Sequence, residues 1–211
     1  MKYPSYVEYE SVYKRYFLKG TEYILNKVNI SKKDKVLDLC GGNARLTREL
    51  IKYSDYLSYL DREKDMIPSD LKDLGIRVYN EDINEFIKHN KEKFDKVFCM
   101  QAVNYFLSNI DMSLFVNLFN KGGIFVFNTF NSKPSNIPSI KEYILDNESY
   151  VEVSYLVNDE VYHTQIKENH FPHFTRFKYI SRSKYIEILC DYFDVEVYED
   201  GKSSVYVCTR K

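Results

Sequence analysis

Apolar residues follow two regimes along this chain. From residue 35 to about residue 131, short apolar runs that end in an acidic or amide residue alternate with stretches whose apolar positions recur at helical spacing. Compact apolar runs bounded by turn residues predict buried strands, and a three-to-four residue recurrence predicts helices. The first strand spans Lys35 to Leu39 and leads through Cys40 to Ala44 into a helix marked by Leu46, Leu50 and Ile51 that runs to about Tyr53. Tyr56 to Leu60 is the second strand, Asp65 to Leu74 a short helix, and Ile76 to Asn80 the third strand after Gly75. Ile83 to Lys91 is helical and Phe94 to Met100 is the fourth strand. Helical spacing through Leu114, Phe115, Leu118 and Phe119 then passes Lys121, Gly122 and Gly123 into a fifth strand, Ile124 to Asn128. Strands and helices in this alternation predict an α/β fold built on a doubly wound, mostly parallel sheet.

Beyond residue 131 the pattern changes. Lys133 to Pro138 carries two prolines and marks an excursion. Tyr150 to Val157, the Asn158-Asp159 turn, Val161 to Lys167 and Phe174 to Ile180 then alternate as an antiparallel meander would. Ser181 to Tyr192 reads as a helix, and Phe193 to Tyr198 and Ser204 to Thr209 flank an Asp200-Gly201 hairpin signal. At the other end, Tyr6, Tyr9, Tyr13 and Tyr16 recur at helical spacing within a helix predicted over Met1 to Lys27, an aromatic stripe suited to packing on a core. The chain shows no internal repeat and reads as a single domain.

Charge narrows the partners. Lys and Arg total 30 against 31 for Asp and Glu, a net charge of −1 with mixed signs, which offers no basic face for a phosphate backbone. Nucleic acid is therefore not expected as a partner. No apolar run approaches the roughly 20 residues that span a bilayer, and Met1 to Gly20 is too polar for a signal peptide, so a cytoplasmic protein without a membrane partner is expected. Cys40, Cys99, Cys190 and Cys208 lie far apart without metal-ligand spacing and read as reduced thiols, so no metal is expected.

The chemistry gathers where strands end. The first strand delivers Asp38 and then Cys40, Gly41, Gly42, Asn43 and Ala44; glycines let a backbone approach a ligand, and the helix that follows offers unpaired N–H groups. The second strand ends in Asp61, and an acidic residue there can accept hydrogen bonds from both hydroxyls of a ribose. Asp82 follows the third strand, Gln101 to Tyr105 the fourth, and Asn128 to Asn131 the fifth. In a doubly wound sheet these strand ends converge on one crevice.

The stretch Asp38-Leu39-Cys40-Gly41-Gly42-Asn43-Ala44 resembles the acidic-x-Gly-x-Gly-x-Gly signature of class I S-adenosylmethionine-dependent methyltransferases, with Cys40 and Ala44 at two of the usual glycine positions. Asp61-Arg62-Glu63-Lys64-Asp65-Met66-Ile67 is similar to that family's Asp-x-Ser-x-x-Met-Ile, and the Lys121-Gly122-Gly123 turn to its Pro-Gly-Gly. The resemblance runs from about residue 31 to 211. It implies a seven-stranded sheet whose last strand is antiparallel, with an N-terminal helical lid (1–30), a cofactor-binding core (31–131), a substrate-facing β insertion (132–180) and a closing helix and strands (181–211). It implies S-adenosylmethionine as cofactor, held by Asp38, Cys40, Gly41, Gly42, Asn43, Asp61, Arg62, Met100 and Gln101, with Asp82 and Ile83 at the adenine.

The same resemblance implies a small-molecule acceptor touched by Tyr9, Tyr13, Asn104, Asn128 and Arg176. His170, His173 and Tyr105 are the candidate proton acceptors for methyl transfer to N or O. The insertion likens the chain to small-molecule methyltransferases such as the glycine, sarcosine and amino-sugar enzymes, in a monomer or homodimer. A peptide or protein acceptor, a non-catalytic binder of the same nucleoside, and a nicotinamide oxidoreductase remain the alternative readings; the last shares the glycine turn and Asp61 but has no use for the Asp82-Ile83 pair.

Overall fold

The computed structural model describes residues 20–130, 133, 135–145, 147–167, 172–200 and 203–211. Its strands are, in chain order, β1 (Lys35–Leu39), β2 (Tyr56–Leu60), β3 (Arg77–Tyr79), β4 (Phe94–Met100), β5 (Phe119–Phe130), β6 (Ser139–Leu145), β7 (Glu148–Val157), β8 (Glu160–Lys167), β9 (His173–Lys178), β10 (Phe193–Asp200) and β11 (Ser203–Arg210). Seven of them form one sheet in the order β10-β11-β5-β4-β1-β2-β3, and β6 to β9 form a separate four-stranded antiparallel sheet in sequential order. β1 pairs in parallel with β2 and β4, β2 with β3, and β4 with β5, whereas β11 runs antiparallel to both β5 and β10. This is the doubly wound sheet with an antiparallel last strand and an inserted β meander that the sequence predicts.

The central strands read as apolar runs because both of their faces are covered. Val36, Phe98 and Val126 point to the side where α1 (Gly20–Leu25) and α2 (Arg45–Leu50) pack with Ile24, Leu46 and Leu50. Leu37, Val97, Cys99, Phe125 and Phe127 point to the other side. They meet Phe86 of α3 (Ile83–His89), Phe115 of α4 (Met112–Phe115) and Leu189 of α5 (Arg182–Leu189) there. Phe125 sits at the middle of this side, its ring 5.1 Å from Phe115, 5.0 Å from Phe127 and 6.0 Å from Phe119 by centroid.

Four expectations change. The helix predicted over Asp65 to Leu74 is two 3-10 turns, Lys64–Met66 and Ser69–Leu71, because Pro68 forces Ile67 into extended backbone between them. The helix expected to reach Tyr53 ends at Leu50. β5 begins at Phe119, ahead of the glycine pair: its register against β4 shifts between the Phe94–Phe119 and Lys96–Ile124 pairs, with Gly122 at φ 72° in the extra loop of backbone. β6 was not legible, because Ile140, Tyr143 and Ile144 do not alternate and the strand pairs on one side alone, with β7. The N-terminal helical stripe, with Tyr9 and Tyr13, lies outside the described residues.

Phe125→Ala empties the centre of the aromatic cluster that joins β5 to α4. It is expected to cost about 3–5 kcal/mol of stability, read as a fall in the denaturant midpoint at unchanged slope.

Candidate functional site

The loop after β1 is shaped by backbone conformation more than by composition. Cys40, Gly42 and Ala44 all adopt positive φ, at 56°, 51° and 60°. Two of these three are L-residues with a Cβ, held in a conformation that costs such residues roughly 1–2 kcal/mol each. They are the two positions where the signature it resembles has glycine, so the turn keeps its geometry and carries the strain. Gly41, at ordinary φ, is required for space instead: a Cβ there would lie 2.4 and 2.6 Å from ring carbons of Tyr59 and 3.0 Å from Asp38 Oδ2. Tyr59 is fully buried in β2 and donates its hydroxyl to the Gly42 carbonyl at 2.5 Å, and Gly41 N–H donates to Leu60 O at 3.1 Å. The loop is thereby folded down onto the end of β2.

Two buried carboxyls flank it. Asp38 accepts a hydrogen bond from the Thr47 hydroxyl of α2. Burial pushes its carboxyl up to about 7, the Thr47 hydrogen bond opposing and the nearby Asp61 charge adding to the shift. Asp61 receives Gly42 N–H on one oxygen at 2.9 Å and Glu63 N–H on the other at 2.8 Å. Burial raises it too, against those two hydrogen bonds. The turn beyond Asp61 is pinned by Asn80, whose amide donates to Asp61 O at 2.9 Å and to Arg62 O at 3.0 Å. Each Asp61 oxygen keeps acceptor capacity after these bonds.

Asp82 caps α3, accepting from Asn84 N–H at 2.8 Å. Partial burial pushes this carboxyl up; the hydrogen bonds from Asn84 and the Arg62 guanidinium, 3.6 Å away, outweigh it and hold Asp82 below the usual range. Arg62 itself is exposed and also reaches Glu63 at 2.9 Å. Ile83 buries its side chain in the core, leaving its main chain for any ligand, and Met100 packs against the opposite core face.

The fourth strand end is held by the fifth. Gln101, at φ 57°, donates its N–H to Asn128 Oδ1 at 2.8 Å. Asn104 accepts from the Tyr185 hydroxyl of α5, and Tyr105, 42% exposed, meets the Phe177 ring of β9 edge-on at 5.9 Å. Arg176 lies on the other face of β9 from Phe177, ion-paired to Glu160 at 2.5 Å. His173 is the first residue of β9, and His170 lies outside the described residues. The structure thus brings Asp38, the Cys40 to Asn43 loop, Asp61, Arg62 and Asp82 to one edge of the sheet, beside Gln101 and Asn128. Sequence reasoning missed Thr47 as the partner of Asp38 and Asn128 as the clamp on Gln101, because neither pairing has a spacing signature.

One buried group in this loop is without a partner. Asn43 is 3% exposed, and its Nδ2 donates to nothing among the described residues. A donor sealed into a glycine loop without an acceptor, next to a carboxylate with spare acceptor capacity, fits a ligand that offers both an acceptor and hydroxyl donors. Among the described residues no cluster of His, Cys, Asp or Glu is placed to hold a metal ion, and no helix is long and apolar enough to cross a membrane.

Solved structures share this architecture over nearly the whole chain. An S-adenosylmethionine-dependent methyltransferase from Clostridium acetobutylicum matches with a TM-score of 0.71 at 16% identity, covering 97% of this chain and 98% of that one. The chain has the methyltransferase fold. An S-adenosylmethionine-bound amino pentose methyltransferase from Micromonospora echinaspora, involved in calicheamicin biosynthesis, matches at 13% identity with a TM-score of 0.72 and full coverage of both chains. A sugar N-methyltransferase from Streptoalloteichus matches at 13% identity and a TM-score of 0.71, covering all of this chain and 94% of its own. No family model and no curated protein matches the sequence. The strand ends assembled here lie at the carboxyl edge of the sheet, where doubly wound folds place their ligands.

Two substitutions test the loop. Gly41→Ala forces a Cβ against a ring that cannot yield, and is expected to cost about 1–3 kcal/mol by denaturant unfolding. Asp38 keeps its proton to about pH 7 when folded, whereas its ordinary value is 3.8, so the folded state binds the extra proton between those values. Stability therefore falls as pH rises from about 4 and levels off above about 7. Asp38→Asn cannot ionise and retains an acceptor for Thr47. Near pH 8 it should exceed the wild type by something on the order of 2–4 kcal/mol, the two converging near pH 4; parallel unfolding curves at both pH values would contradict this account of Asp38.

Proposed function

We propose that the protein is an S-adenosylmethionine-dependent methyltransferase that transfers a methyl group to N or O of a small molecule by in-line displacement. The observation that carries this reading is the loop itself: a Gly42 N–H held by Asp61, and a buried Asn43 amide with no acceptor, on the ligand edge of a methyltransferase fold. Asp61 would accept from the ribose hydroxyls, the Cys40 to Asn43 backbone and the Asn43 amide would receive the methionine end, and Asp82 with the Ile83 N–H would hold the adenine, with Arg62, Met100 and Gln101 beside them. The cofactor, when bound, supplies a methyl group already activated on a sulfonium.

The chain's remaining task is to hold the acceptor close and aligned, an effect that can lower a barrier by roughly 7–11 kcal/mol. Tyr105, His170 and His173 are the groups proposed to take a proton from an acceptor hydroxyl or ammonium. Asn104 is committed to Tyr185 and Asn128 to Gln101. Their part is to fix the loop that positions the acceptor. Arg176, paired with Glu160 on the far face of β9, meets an acceptor only if that pair opens; Tyr9 and Tyr13 complete the proposed contacts.

Calorimetric titration tests this. S-adenosylmethionine and S-adenosylhomocysteine are expected to bind with micromolar affinity, Asp61→Ala to weaken both at least about tenfold by loss of charge-assisted hydrogen bonds, and NADH not to bind. Absence of binding by folded, ligand-free protein, or preferential binding of NADH, would sink the reading. Release of S-adenosylhomocysteine on addition of an acceptor separates an enzyme from a silent binder.

A further inference from the structure

The β6–β9 sheet buries polar side chains beside apolar ones on one face and exposes large apolar residues on the other. On the face that carries Phe177, and so turns toward Tyr105, register places Val161 and Leu156 in the first row, Thr175, His163 and Ser154 in the next, and Gln165, Glu152 and Lys141 in the third. Glu152 is 6% exposed and Gln165 2%. The opposite face carries Ile140, Ile144 and Phe174 at 64%, 76% and 52% exposure. A sheet that buries a carboxylate and an amide while exposing isoleucines departs from the usual pattern, and such departures mark functional positions.

The polar groups are ordered. The Tyr143 hydroxyl donates to Glu152 Oε1 at 2.8 Å, and the Gln165 amide nitrogen donates to the same carboxylate oxygen at 2.9 Å and to the Tyr143 oxygen at 2.5 Å. Because the Tyr143 proton is already given to Glu152, its oxygen must receive from Gln165, which fixes the amide's orientation. Gln165 Oε1 therefore points the other way, and it is buried with no donor. Tyr143 and Tyr150 stack beside the cluster, centroids 5.2 Å apart and 6° from parallel. Burial holds the neighbouring His163 below its ordinary value, so that at neutral pH it adds an acceptor and not a charge. A buried acidic side chain, an orphaned amide oxygen and tyrosine rings together suit a protonated amine.

We infer that the buried face of this sheet is a binding subsite for a cationic amine carried by the methyl acceptor, with Gln165 Oε1 and Glu152 as its hydrogen-bond acceptors. The subsite stands four residues along β9 from Phe177, roughly 13 Å at strand rise. The amine it holds is thus remote from the atom that receives the methyl group, and the acceptor is elongated. This rests on the methyltransferase reading only in calling the ligand an acceptor; amine binding itself does not.

The test uses three probes on one three-carbon skeleton: serinol (amine and hydroxyls), glycerol (hydroxyls) and glycerate (carboxylate). Each is titrated into the ¹⁵N-labelled full chain with and without S-adenosylhomocysteine, following the Gln165 side-chain amide, assigned by its absence in Gln165→Leu. Serinol is expected to shift that resonance at concentrations about tenfold below those at which glycerol does, the margin of a charge-assisted hydrogen bond. Glycerate should leave it unmoved. Gln165→Leu should lose serinol binding and keep its affinity for S-adenosylhomocysteine. Gln165→Met provides a second apolar variant should the first not fold, and the wild-type titration stands without either. Glycerol or glycerate matching serinol, or no shift with any probe, overturns the subsite. Failure of S-adenosylhomocysteine to bind the wild type would instead overturn the cofactor reading, and the serinol shift in its absence keeps the two apart.

Discussion

The Asp61 carboxylate is the joint on which the carboxyl edge of the main sheet depends. One oxygen holds Gly42 of the first loop and the other holds Glu63 of the second, so two turns from different strands move as one body. Sheet hydrogen bonds alone would leave each turn free to hinge about its own strand end. Asn80 adds the third strand end to the same joint through the carbonyls of Asp61 and Arg62. The rigidity is bought at the expense of burying an acid beside a second one, Asp38, and both are displaced upward from the ordinary carboxyl range. A ligand that donates hydrogen bonds to Asp61 would offset part of that desolvation.

Much of this frame was legible because it rests on the most regular physics in the chain. β1, β2 and β4 are covered on both faces and accordingly read as mostly apolar runs with few polar residues, and their ends share the edge at which doubly wound sheets bind ligands. The left-handed positions at Cys40 and Ala44 were not legible, since small non-glycine residues give no signal of positive φ; the conformation is imposed by the closure of the loop on Tyr59 and Leu60. Thr47 with Asp38, and Asn128 with Gln101, are contacts between elements that only the folded sheet brings together. The insertion was recognised as a meander, yet its orientation could not be read, because period-two alternation does not say which face is buried. Gln165 and Glu152 look like the solvent side of an ordinary strand and are its inner side.

Clamp and carboxyl also divide the labour at the fourth and fifth strand ends. Asn128 spends its carbonyl oxygen on Gln101 N–H, and Asn104 spends its own on Tyr185, so two amides that the sequence offers for ligand contact are used to hold main chain and helix in place. Tyr105, against the Phe177 ring, is one contact between the fourth strand end of the main sheet and the inserted sheet.

The position of β11 between β5 and β10 has a kinetic consequence. β5 cannot complete its hydrogen bonding until a strand more than seventy residues further along arrives, as the Thr129–Ser204 pairing illustrates. Closure of so long a loop is entropically slow, and pairings of this kind dominate folding times. The intervening β6–β9 meander pairs only with its own sequence neighbours, and its strands can therefore assemble before that closure. A preformed meander shortens the effective loop that β11 must close, so the insertion offsets by its own local pairing part of the length it adds between β5 and β11.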